Sequence, residues 1–147
     1  MAQSNTRRKQ ALTDISALLV GLNFFQEVSG TVKSPEEASN WPAAYYTGGS
    51  GPRTPVDQQL AHYEHTPSYS IILYVHDAGD GKLADDLEDA IQKVVDAADA
   101  AIGTFMTNGY HMWASDISTD EGTLRAGGSP IAMGIITLSA KFFPEDA

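Results

Sequence analysis

Cysteine is absent from the 147-residue chain. Disulfides, thiol catalysis and zinc–thiolate sites are therefore excluded, and no redox compartment can be read from the composition. Positive charge is scarce: nine Lys and Arg stand against 19 Asp and Glu, a formal net charge of −10. Phosphate backbones are gripped by clustered Lys and Arg, so broad nucleic-acid binding is disfavoured and a surface that repels polyanions is favoured. No stretch approaches the roughly 20 apolar residues of a membrane helix, so no membrane partner is expected. What remains is an ordinary globular composition, 42% hydrophobic and 19% charged. Its length is the commonest for one domain, and residues 1–147 are read as a single unit.

The N-terminal residues Thr6-Arg7-Arg8-Lys9 hint at a twin-arginine export signal. Asp14 interrupts the apolar run behind them, and no small-residue cleavage site follows, so an ordinary first helix is the better reading. Ala11, Leu12, Ile15, Leu18, Leu19 and Leu22 have helical spacing within Asn5–Leu22. Gly21 and Asn23 weaken the end of that helix. Short extended runs follow at Phe24–Val28, from Trp41 ("WPAAYYT") and at Gln59–His65, with "GGSGPRTP" (Gly48–Pro55) as a long hairpin loop.

Ser68–His76 is the strongest strand, Tyr69, Ile71, Leu73 and Val75 on one face, Ile72 and Tyr74 on the other. Leu87, Ile91, Val94, Val95, Ala98 and Ile102 then mark a helix from Leu83 to about Thr104. Tyr110–Ser118 and Ile131–Phe143 are two further strands, joined by the polar loop "TDEGTLRAGGSP". The order α–β–β–β–β–α–β–β predicts an α+β fold. The expected sheet is mixed and mostly antiparallel, with the N-terminal helix and the long helix packed against it and long hairpin loops between strands.

Between the strong strand and the long helix, Gly79-Asp80-Gly81-Lys82-Leu83-Ala84 fits G-x-G-x-x-G/A, the dinucleotide fingerprint. Pyrophosphate would need the positive end of the helix dipole. Asp80, Asp85, Asp86 and Glu88 crowd that end, with Lys82 the lone compensation, so the segment is read as a plain turn that binds no nucleotide cofactor. As a calcium loop it would begin at His76 and end at Leu87, neither a carboxylate. His62 and His65 alternate to opposite faces of a strand, which argues against shared metal ligation. Neither Ser50 nor Ser129 completes G-x-S-x-G. No catalytic, cofactor-binding or metal-ligating residue is expected.

Charge placement is the remaining signal. Asp85, Asp89, Gln92, Asp96 and Asp99 form a polar stripe at helical spacing, with Asp96 and Asp99 at the end of the helix where the dipole disfavours them. Arg7, Arg8 and Lys9 sit at a helix start, where they too are disfavoured. Each group would be satisfied by the other across a subunit boundary. Arg7, Arg8, Lys9, Asp85, Asp89, Asp96 and Asp99 are therefore the candidate subunit-interface residues.

The sequence of elements gives one further clue. A first helix and strand lead to Trp41-Pro42-Ala43-Ala44-Tyr45-Tyr46, a glycine-rich loop, "YSIILYV", the long helix and a hairpin closing on "GIITLSAKFF". In this pattern the chain resembles the tail terminator (tail completion) proteins of tailed bacteriophages over nearly its whole length. The resemblance implies a non-enzymatic virion protein that forms a ring, usually a hexamer, on the last ring of the tail tube. Such a ring stops tube polymerisation and offers a surface to the head-completion (connector) protein, while DNA passes through its lumen without specific binding. It implies assembly in the host cytoplasm and residence in the virion tail. Another neck or head–tail completion protein, or a small ligand-binding α+β domain, fits the same elements.

Overall fold

The computed structural model describes residues 3–34, 37–38, 40–55, 63–76, 82–126 and 129–142. Helix α1, Gln3–Gly21, buries Ala11, Ile15 and Leu19, one residue per turn, with Leu12, Leu18 and Leu22 flanking that line. It ends where Asn23 adopts a left-handed conformation (φ 52°) and donates its N–H to the Val20 carbonyl at 3.1 Å. Asn tolerates that conformation better than any residue but glycine. The chain then enters β1, Glu27–Ser29, shorter and later than the apolar run at Phe24 suggests. Phe24 and Phe25 pack instead edge to face at 5.1 Å, against the main core.

Strands β2 (Ala43–Ser50), β5 (Ser68–His76), β6 (Tyr110–Ala126) and β7 (Ser129–Phe142) complete a five-stranded sheet of order β1-β2-β5-β7-β6. Only the β1–β2 pair is parallel. The fold is α+β, with a mostly antiparallel sheet. A separate ribbon pairs β3 (Arg53–Pro55) with β4 (Tyr63–His65). The Gly48–Pro55 segment is thus largely strand, with a bulge between Gly48 and Ser50. Gly48 is required there: its φ is 131°, and a Cβ would stand 2.5 Å from the Ser68 carbonyl oxygen.

The other expected loop shortens too. Strands β6 and β7 stay paired out to Ala126 and Ser129, with a second irregularity between Asp120 and Leu124. That extension carries a polar sequence, so alternation could not announce it.

Helix α2, Leu83–Ala100, lies on the same sheet face as α1 and buries Leu87, Ala90, Ile91, Val94 and Ala98. Gly134 lets it sit close, since a Cβ there would be 3.1 Å from Ile91 Cδ1. The helix ends before Thr104. After Ala101 the chain turns into the short α3, Ile102–Thr107, which drives Phe105 into the core to stack on Tyr110 at 5.4 Å.

The two sheet faces differ. The helix face holds the main core, built on Tyr69, Ile71, Leu73 and Val75 of β5 and Ile136, Leu138 and Phe142 of β7. The outer face holds only a smaller cluster, Ala38, Ala43, Tyr45, Tyr74 and Ile131, with Trp41, Ile72 and Met133 against it.

Candidate functional site

The structure does not keep Arg7, Arg8 and Lys9 together as one surface. Helical geometry turns Arg8 toward the line of Ala11 and Ile15, where its Nε is buried and its Cδ lies near Gly49. Arg7 turns toward Gly109, at which a Cβ would stand 3.1 Å from its Nε. Both are half-buried within their own chain, and Lys9 alone of the three is exposed. Arg8 also lies near the fully buried Tyr69 hydroxyl, which has no hydrogen-bond partner among the described residues. Burial pushes that hydroxyl up to about 12, and the positive charge of Arg8 opposes part of the rise.

Asp85, Asp89, Asp96 and Asp99 are all exposed on α2, as their spacing predicts, and Gln92 Nε2 donates to Asp96 Oδ1 at 2.7 Å. The flank of α2 facing α1 is instead made of Ala97, Ala100 and Ala101, against Ala17, Leu18, Gly21 and Leu22.

Two polar networks were not legible in the sequence. In the first, Asp14 accepts from Gln10 Nε2 (2.8 Å), Asn108 Nδ2 (2.8 Å) and the Tyr110 hydroxyl. Burial first, then the bond to Asp14, raises the Tyr110 hydroxyl far above the usual tyrosine range. This network ties α1 to the α3–β6 joint. In the second, Glu27 accepts from Lys33 Nζ at 2.6 Å and from the Tyr45 hydroxyl at 2.5 Å, while Tyr74 donates to the Lys33 carbonyl at 2.9 Å. The Lys33 ammonium, then the Tyr45 hydroxyl, hold the Glu27 carboxyl below its ordinary value. Here the loop after β1 is fastened to the outer face.

One cleft of about 450 Å³ opens beside α2, lined by Phe24, Trp41, Pro42, Val75, His76, Asp86, Asp89 and Lys93. Trp41 stacks on His76 with ring centroids 4.6 Å apart, and the Lys93 ammonium lies 5.3 Å from the Phe24 ring centre. The buried Trp41 Nε1 has no hydrogen-bond partner among the described residues. A flat aromatic floor beside two carboxylates suits a flat or cationic group. Asp89 therefore belongs to the cleft wall as well as to the stripe.

The histidines scatter. His65 is buried edge-on to Phe142, His76 stacks in the cleft, and His111 tilts over Trp113; His62 lies outside the described residues. Among the described residues no three His, Asp or Glu side chains gather as metal ligands. Gly79 to Gly81 of the glycine fingerprint also lie outside the described residues. Lys82, at the N-cap of α2, makes no side-chain cap, and Asp85 and Asp86 occupy the first turn. No helix among the described residues is long and apolar enough to cross a membrane. Comparison with models of known protein families and with curated proteins finds no match.

Proposed function

We propose that this chain is a structural assembly protein of a tailed-phage virion, a tail terminator that rings the end of the tail tube and stops its growth. One observation carries the reading. The segments behind the resemblance fall in one sheet-and-helix unit: α1, the Ala43–Ser50 strand, the central Ser68–His76 strand, the long α2 and the closing β6–β7 hairpin. The acidic composition suits a lumen through which DNA must slide without being held. In this reading the ring's partners are further copies of the chain, the tail-tube protein and the head-completion protein.

The deciding experiment is tail assembly with this protein omitted. Tubes that grow past their regulated length support the terminator role, and tubes of normal length remove it. A role elsewhere in the neck would appear as capture of the head connector without the tube protein. The Trp41–His76 cleft favours a different reading, a small ligand-binding domain. Calorimetric titration with aromatic amines, and with NAD, FAD and ATP, tests it: saturable heat abolished by Trp41→Ala would replace the assembly role.

A further inference from the structure

Single exposed apolar side chains are ordinary on a protein surface; their grouping is informative. Among the described residues the large exposed ones are Val20, Val32, Met106, Trp113 and Ile117. They fall at the two opposite edges of the sheet. On α1, residues 17, 18, 21 and 22 face α2, so the helical period turns Val20 and Lys9 to the flank on the β1 side. Val32 follows β1 in the loop that Tyr74 holds from the outer face. At the far edge, Trp113 pairs opposite Ser139 on the outer face, Ile117 opposite Ile136 on the helix face, and Met106 projects from α3 beside β6. Each edge thus offers an apolar side chain in the helix layer and another on the outer side.

We infer that the β1 edge of one copy docks on the β6 edge of the next, Val20 and Val32 meeting Ile117, Met106 and Trp113. The occupant is a second copy because the two edges complement each other layer for layer. Charge agrees: Lys9 stands exposed on the β1 flank, whereas Asp99 stands exposed on the side of α2 turned away from α1, opposite Ala97 and Ala101. Unlike edges in contact make a heterologous interface, which closes into a ring when the rotation allows. The irregularities in β6 after Ala114 and Asp120 interrupt a continuous backbone ladder, so side chains rather than strand pairing carry the contact. This inference rests on the assembly reading for its occupant and adds to it the surface used.

The chain has no native cysteine, so every introduced thiol reports cleanly. Val32→Cys and Trp113→Cys proteins, mixed and oxidised, should form a cross-linked heterodimer that neither forms alone. The double variant should give a ladder ending in a closed ring. Cross-linking of Trp113→Cys to itself would reveal a two-fold β6 contact and overturn the inference. So would a self-associating mixture that forms no disulfide, or a chain monomeric at millimolar concentration. Ile117→Ser is a second probe: it should keep the wild-type circular dichroism spectrum and weaken self-association at least about tenfold. Unchanged association would count against the interface. Normal tail length without the protein would remove the terminator role yet leave a cross-linked ladder standing, so the two failures are distinguishable.

Discussion

The two faces of the sheet solve different problems with the same strands. On the helix face, Tyr69, Ile71 and Leu73 are sealed under α1 and α2. On the outer face, Ile72 and Met133 are only half-covered and the cluster is held by the Glu27–Lys33–Tyr45 contacts. Most of the buried apolar residues lie on the first face, so most of the stability should reside there. Adjacent residues of one strand can test this. Leu73→Ala should cost about 2–5 kcal/mol, the range for a sealed core position. Ile72→Ala, one residue earlier, should cost less than half as much. Urea unfolding measures both, and equal losses would erase the distinction.

The second contrast is between the polar networks. Asp14→Ala leaves the buried Tyr110 hydroxyl and Asn108 without their acceptor, a loss of about 1–3 kcal/mol. Tyr110→Phe added to Asp14→Ala should recover part of that loss, because it removes the orphaned group. Glu27→Gln should cost less than about 1 kcal/mol, since the Lys33 side chain keeps 36% of its surface in solvent, which screens the pair. A larger effect from Glu27 than from Asp14 would reverse the ranking of the faces.

Much of this arrangement was legible in the sequence, and the exceptions have physical causes. The strand Ser68–His76 is legible from end to end because both of its faces carry apolar residues. Beyond Asp120, β6 carries a polar sequence with no alternation to read. Arg8 lies seven residues before Ile15, on the buried line of α1, a period masked by its membership in a run of three cations. Trp113 was legible in principle: Tyr110, Met112 and Ala114 alternate inward, so a tryptophan between them points out. The Asp14 network joins residues 94 and 96 positions apart, which no local pattern announces.

Proton linkage distinguishes the faces further. Tyr69 keeps its proton to about 12 in the folded chain, against 10.0 for the ordinary phenol. Its contribution to stability is whole below pH 10 and is lost as pH rises through about 12. Tyr45, Tyr74 and Tyr110 shift in the same direction, so alkali challenges both faces together. Acid separates them. The Glu27 value is lowered from 4.5, so its contribution is present above that pH and fades as pH falls through the lower folded value. Hydrogen exchange should show β1 and the loop after it opening on acidification before the central amides of β5. Simultaneous opening would mean that Glu27 does not fasten the outer face.

The smallest effect bears on the acidic stripe itself. Asp99 stands near the C-terminal end of α2, whose last turn holds no basic residue. Asp99→Lys replaces a charge that the helix dipole disfavours with one that it favours, and should stabilise the isolated subunit by about 0.5 kcal/mol. The gain should shrink as salt shortens the screening length from about 10 Å at 0.1 M. On assembly the expected sign is opposite. If the stripe meets the Lys9 flank of a neighbour, the new lysine places like charges together, and self-association weakens while the subunit becomes more stable. Thermal unfolding and sedimentation of the same variant give the two signs. Association unchanged or strengthened would assign the stripe to solvent, and leave the apolar edges alone to carry the proposed contact between copies.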